Sequence, residues 1–131
     1  RWVWEHGHTL ADTLGPGRHF GEWWGQGIQR RYDMNRKVFS LFNSHRWESE
    51  AERFRALGIG LDVVPVLYKG RFDNTAVQDT LDMLAFNGSA ATCPYGVEFY
   101  RPEGVIIWHH ELRGSLKAFV ENDDTPKSIA A

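Results

Sequence analysis

The sequence predicts an α+β fold, and three observations carry that expectation. Apolar residues recur at helical spacing in three segments, 2–14, 48–57 and 75–84. Runs rich in β-branched and aromatic residues, with strand character, occupy 18–24, 37–45, 61–70, VEFYRPEGVIIWHH and SLKAFVEN. The two kinds mix without the strict alternation of strand and helix that a parallel α/β sheet requires.

The elements follow in order. Residues 2–14 make a helix with Trp2, Leu10 and Leu14 inward; Gly7 weakens it and GPG at 15–17 stops it. A strand is expected at 18–24 and a loop at 25–36. In KVFSLFNSH at 37–45, Phe39 and Leu41 point to one face while Val38, Ser40 and Phe42 point to the other. Residues 48–57 form a short helix with Ala51, Phe54 and Leu57 near one face. LDVVPVLYKG at 61–70 reads as a strand, with Pro65 marking an edge or a bulge. Thr75 and Gln78 have capping-box spacing, and Val77, Leu81 and Leu84 recur at i, i+4 and i+7 behind them. Two last strands are joined by a turn around Arg113 and Gly114. The organisation expected is one packed unit over 1–122 and a polar tail over 123–131.

Composition bounds the function. A chain of 131 residues with net charge −2 and a pI near 6.3 does not grip nucleic acid by bulk positive charge, so any such contact needs a local patch, for which Arg30, Arg31, Arg36 and Lys37 are candidates. Six Trp, eight Phe and four Tyr supply ample core. A single cysteine, Cys93, excludes an intrachain disulfide and reads as a small packing residue. No apolar run approaches the ~20 residues that span a bilayer, and no basic leader is visible, so a cytoplasmic protein without a membrane partner is expected. The chain opens at Arg1 directly into an apolar segment, which reads as a start internal to something longer.

Three charged residues interrupt strand-like runs: Glu22 in HFGEWWGQGIQRRYD, Glu103 in RPEGVIIWH and Lys117 in SLKAFVE. A buried, unpartnered carboxylate costs several kcal/mol in order of magnitude, so Glu22, in a run that reads as buried, calls for a structural partner or a ligand. A solvated face or an internal salt bridge would account for any one of the three. As a set, with the aromatic strand VFSLFN between them, they suit a nucleotide and its metal: a carboxylate accepts ribose hydroxyls or holds Mg²⁺, an ammonium neutralises phosphate, and a ring stacks on a base.

The order Gly21-Glu22, Phe39-Ser-Leu-Phe42, Glu103-Gly104-Val105 and Leu116-Lys117 resembles motifs III, IIIa, IV and V of covalent nucleotidyltransferases, specifically the RNA ligase 2-like family of ATP-dependent RNA ligases. The similarity runs from Trp2 to about Lys127, with a long insert between IIIa and IV and thirteen residues between Glu103 and Lys117. The resemblance implies an ATP-grasp-like adenylation domain, incomplete at its N-terminus, with ATP and Mg²⁺ as cofactors and RNA ends as substrates. It implies that Glu22 contacts the ribose, that the motif IIIa phenylalanine stacks on adenine, that Glu103 serves the metal and that Lys117 contacts the α-phosphate. Phe39 takes the stacking role in this reading, with Phe42 as the alternative.

Ligases of this kind attack the α-phosphate with a lysine in Lys-x-Asp-Gly upstream of motif III. That tetrapeptide is absent here, and the lysines are Lys37, Lys69, Lys117 and Lys127, with KGRFD at 69–73 misplaced and misspaced. No other residue substitutes for an in-line nucleophile. The chain is therefore expected to be inactive alone and to need an upstream segment, as a fragment of a ligase or a degenerate copy. Motif V also departs from Lys-x-Lys, reading Lys117-Ala118-Phe119. Two alternatives stand beside the ligase: a non-catalytic nucleotide- or RNA-binding relic of the fold, and a capping-type nucleotidyltransferase using GTP. Adjacent His109 and His110 point to opposite faces of a strand and cannot chelate one metal. Trp23 and Trp24 diverge likewise, and GQG at 25–27 reads as a turn rather than a phosphate loop. The acidic run 121–124 reads as a solvated end, although Glu121 could support Lys117.

Overall fold

A computed structural model describes residues 1–26 and 34–120. Arg30 and Arg31 of the basic group, most of the expected loop at 25–36, the acidic run at 121–124 and the tail lie outside the described residues. The chain divides into two compact units, one drawn from Arg1–Arg31 and Asn35–Pro65, the other from Tyr32–Met34 and Val66–Ala131.

In the first unit, helix α1 (Trp2–Leu14) precedes strands β1 (Gly21–Gly25) and β2 (Lys37–Leu41). A short helix α2 (Ser44–Trp47), a 3-10 turn (Glu48–Glu50), helix α3 (Ala51–Ala56) and strand β3 (Leu61–Val63) follow. β2 is the central strand, antiparallel to β1 and parallel to β3. The register sets Trp23 opposite Phe39, Glu22 opposite Ser40 and Phe39 beside Leu61. Because side chains alternate across a strand, Trp23, Phe39 and Leu41 share one face and Glu22, Trp24, Val38 and Ser40 the other.

The core lies on the Phe39 face. Leu14, Leu41, Trp47, Phe54, Leu61 and Val63 are buried together, with Trp2, Leu10, Phe39, Ala51 and Ile59 packed against them. The inward residues read from α1 are those the structure uses. Trp2 fastens the helix to the sheet: its indole Nε1 donates to the Ile59 carbonyl at 2.6 Å, and its ring meets those of Trp23 and Phe39 at 4.9 and 5.7 Å. On the other face, Trp24 Nε1 donates to Ser40 Oγ at 2.8 Å, which satisfies two buried polar groups at once. The strand expected over 61–70 is only three residues long, because Pro65 lacks the N–H needed to continue a ladder. Asp62 within it is buried and ion-paired with Arg55, Nη1 to Oδ1 2.9 Å.

The second unit contains helix α4 (Asn74–Asn87), a 3-10 turn (Cys93–Tyr95) and a two-stranded antiparallel ribbon of β4 (Gly104–His109) and β5 (Gly114–Phe119). α4 begins two residues earlier than the capping box at Thr75 and Gln78 suggests. Asp73, in extended conformation, is the N-cap and accepts from Thr75 N–H at 2.7 Å, whereas Gln78 donates to Asp82. Leu81 and Leu84 are its buried residues. The expected strand from Val97 starts only at Gly104, since Pro102 cannot donate to a ladder. The turn that joins β4 to β5 holds Arg113 at φ 49, and His109 Nδ1 accepts from Leu112 N–H within it. No described helix is long and apolar enough to cross a membrane.

Candidate functional site

Glu22 sits in the middle of β1, and its side chain is exposed. The expectation that this carboxylate is buried is thereby corrected: solvent covers it, and no desolvation cost forces a partner on it. It makes no hydrogen bond or ion pair with any described residue. Its neighbours on the face are Ser40, directly across the ladder, and Trp24 two residues along.

Phe39 does not share that face. Its ring stands 5.2 Å from Trp23 and 5.7 Å from Trp2, on the α1 side of the sheet. Gly21 explains how it fits: a Cβ there would stand 2.8 Å from Phe39 Cζ and would also press on the Ser40 carbonyl oxygen. The glycine of the Gly21-Glu22 pair thus serves the packing of Phe39, while the glutamate faces away from it. Phe39 also lines a cleft of about 290 Å³ with Trp2, Leu10, Leu14, His19 and Trp23. His19 is the one polar side chain in that lining, and its Nε2 donates to the Gly15 carbonyl at 3.0 Å. A wall of this kind offers nothing to balance a triphosphate.

Phe42 is placed differently. Its N–H donates to the Phe20 carbonyl at 2.9 Å, which extends the β1–β2 ladder by one pair beyond Gly21 and Leu41. Alternation then puts Phe20 and Phe42 on the Glu22 face. Both rings are exposed, at 67% and 53%. Of the two phenylalanines in Phe-Ser-Leu-Phe, the one on the same side as Glu22 is therefore Phe42.

In the second unit, Lys117 lies in β5 opposite Ile106, exposed, with Nζ 5.4 Å from the centre of the Phe119 ring. Glu103 stands one residue before β4, and its carbonyl accepts from Val120 N–H at 2.9 Å. That bond pairs Glu103 with Val120, a position of opposite parity to Lys117, so the ribbon does not set the two on one face. Gly104, at φ 158, lets the strands close up: a Cβ there would collide with the Ala118 carbonyl oxygen. Gly21 and Gly104 are thus both explained by the close approach of a neighbouring strand.

Among the described residues no group of three or more His, Cys, Asp or Glu could hold a metal ion. His109 and His110 diverge as expected: the first approaches the Phe72 ring at 5.5 Å and the second the Trp108 ring at 6.5 Å. Cys93 is exposed rather than semi-buried. Sequence reasoning missed Phe20; its spacing of two from Glu22 was the available signal, since residues i and i+2 share a strand face. Comparison with protein-family models, with curated proteins and with solved structures returns no match for the chain.

Proposed function

We propose that this chain supplies part of the nucleotide pocket of an ATP-dependent RNA ligase, a cytoplasmic enzyme of the covalent nucleotidyltransferase kind. The complete enzyme would adenylate itself, pass AMP to an RNA 5′-phosphate and seal it to a 3′-hydroxyl. In the first unit Glu22 accepts hydrogen bonds from the ribose hydroxyls and Phe42 replaces Phe39 as the ring against adenine; the phosphate and metal roles that the resemblance gives to Lys117 and Glu103 are not drawn into this contact, since the ribbon sets those two residues on opposite faces of the second unit. The observation that carries the reading is the exposed carboxylate of Glu22, without a polar partner among the described residues, on the same sheet face as the bare ring of Phe42. An acceptor beside a stacking surface is what a nucleoside requires.

The chain carries no Lys-x-Asp-Gly, and this favours a second reading of the polypeptide by itself as a nucleotide-binding module without the covalent step. Calorimetric titration with ATP and Mg²⁺ tests both readings. Saturable binding is expected, weakened on the order of tenfold or more by Glu22→Ala, for a hydrogen bond to a charged group, and similarly by Phe42→Ala for a lost base stack. A preference for GTP would move the assignment to the capping type, and absence of binding to either nucleotide would remove the pocket.

A further inference from the structure

The β4–β5 ribbon has two long edges, and no backbone group among the described residues hydrogen-bonds to either. The register decides which groups those edges present. Val120 N–H donates to the Glu103 carbonyl, so Glu103 and Val120 form a hydrogen-bonded pair. Such pairs alternate along an antiparallel ladder, which makes Val105–Ala118, Ile107–Leu116 and His109–Gly114 the hydrogen-bonded pairs that follow. The residues between them, Gly104, Ile106 and Trp108 on β4 and Ser115, Lys117 and Phe119 on β5, turn their N–H and C=O groups outward. The two edges are not alike. β5 carries Lys117 in its middle, and a lysine there is a usual guard against stray strands. β4 carries no charge at its outward positions, and the side chains of Ile106 and Trp108 are 65% and 55% exposed. A two-stranded ribbon is marginally stable by itself, and added strands stabilise it.

We propose that the outer edge of β4 is an interface for a second copy of this chain, the two β4 strands pairing antiparallel about a two-fold axis at Ile106 to make one four-stranded sheet. An axis at Ile106 uses every outward position: Ile106 faces Ile106 of the second copy, and Gly104 faces its Trp108. Moving the axis to Val105 sets Trp108 against Pro102, which has no N–H to give, and moving it to Ile107 sets Gly104 against His110 in the turn. The side chains favour the same register. A tryptophan directly across from a glycine lays its ring over bare backbone and compensates for the missing side chain. Beyond that pair Glu103 falls opposite His109 and Arg101 comes level with Glu111, so acid meets base on both sides of the axis. Arg101 and Glu111 are both exposed. A net charge of −2 sets little repulsion against self-association. This interface lies wholly in the second unit and does not depend on the nucleotide contact proposed for the first.

Sedimentation equilibrium of the whole 131-residue chain over a micromolar concentration series should show a reversible equilibrium between a 15.1 kDa monomer and a dimer of twice that mass. Ile106→Pro removes the N–H at the centre of the interface. Because that group points outward, the change breaks no bond within the ribbon. The dimer should weaken on the order of a hundredfold, for two lost hydrogen bonds and the carbonyls they leave unpaired. Ser115→Pro, the same change on the outward edge of β5, should leave the dimer intact. Arg101→Glu or Glu111→Arg alone should weaken it on the order of tenfold at low salt, and the two together should restore it; these exposed positions test the register without touching the ribbon's own ladder. In hydrogen exchange followed by NMR, the amides of Ile106 and Trp108 should gain protection as concentration rises, while those of Ser115 and Lys117 stay fast. A chain that remains monomeric across the series overturns the proposal. So does a dimer indifferent to Ile106→Pro or to the single charge reversals, or one that protects Ser115 and Lys117 instead.

Discussion

Phe39→Ala and Phe42→Ala, three residues apart, should have opposite consequences. A phenylalanine carries roughly 150 Å² of apolar surface beyond its Cβ. At Phe39 most of this is covered by the core and by the rings of Trp2 and Trp23. At about 25 cal/mol per Å² its loss costs ~2.5–3 kcal/mol. The two aromatic pairs add ~0.5–1.5 kcal/mol each, and the compactness of the unfolded chain takes back a part. The expected destabilisation is ~3–4 kcal/mol, in the usual range for a large-to-small change in a core. At Phe42, half in solvent, ~1 kcal/mol or less is at stake. Urea unfolding followed by tryptophan fluorescence measures this in the right place, because five of the six tryptophans, Trp2, Trp4, Trp23, Trp24 and Trp47, belong to the first unit. With a slope of ~1.5 kcal/mol per molar urea, the Phe39→Ala midpoint should fall by about 2 M. Phe39→Leu, which keeps more of the packing, should fall about half as far. Phe42→Ala should leave the midpoint nearly in place and lose nucleotide. A Phe39→Leu protein of undiminished stability that no longer bound ATP would show that the face assignment is wrong.

Incubated alone with labelled ATP and Mg²⁺, the polypeptide should form no covalent adenylate, since none of its lysines lies in Lys-x-Asp-Gly; an acid-labile adduct mapped by mass spectrometry to Lys37 or Lys69 would relocate the nucleophile. Asp73→Ala removes the acceptor for Thr75 N–H at the start of α4 and should cost ~1 kcal/mol, read as a lower thermal midpoint by circular dichroism, while Asp73→Asn or Asp73→Ser should recover most of it.

Periodicity made the helices legible because a buried stripe leaves its mark on every turn. Residues 2–14 and the stripe ending in Leu81 and Leu84 were found on that ground. Strand alternation was equally plain in VFSLF, where the split of Phe39 and Leu41 from Val38, Ser40 and Phe42 matches the observed register. What alternation cannot say is which of two faces receives the core. A sequence reading therefore sets Glu22 in a buried run and gives the adenine to Phe39. The decision belongs to α1, which covers the Phe39 face through contacts such as Trp2 to Ile59, far apart in sequence. Strand lengths were overestimated beyond Val63 and before Gly104, where Pro65 and Pro102 end the ladder among residues that still look like strand. In Gly21-Glu22 and Glu103-Gly104 a sequence reading takes the glycine and the glutamate as one signal, whereas the structure gives each glycine a packing reason of its own: a Cβ at Gly21 or at Gly104 would collide with the neighbouring strand.

The bond from Trp2 to Ile59 joins positions 57 residues apart, whereas the Gly25–Lys37 pair of the β1–β2 ladder joins positions only 12 apart by residue number. Closing the longer loop costs about 1.4 kcal/mol more chain entropy, from the logarithmic dependence on loop length. The hairpin is accordingly expected to form early in assembly of this unit and α1 to dock late. An interaction absent from the folding transition state influences how fast the native state comes apart rather than how fast it forms. Substitutions at Trp2 should therefore shorten the lifetime of the folded unit while its refolding rate stays the same, which makes the first helix the clasp that sets how long the sheet behind it persists.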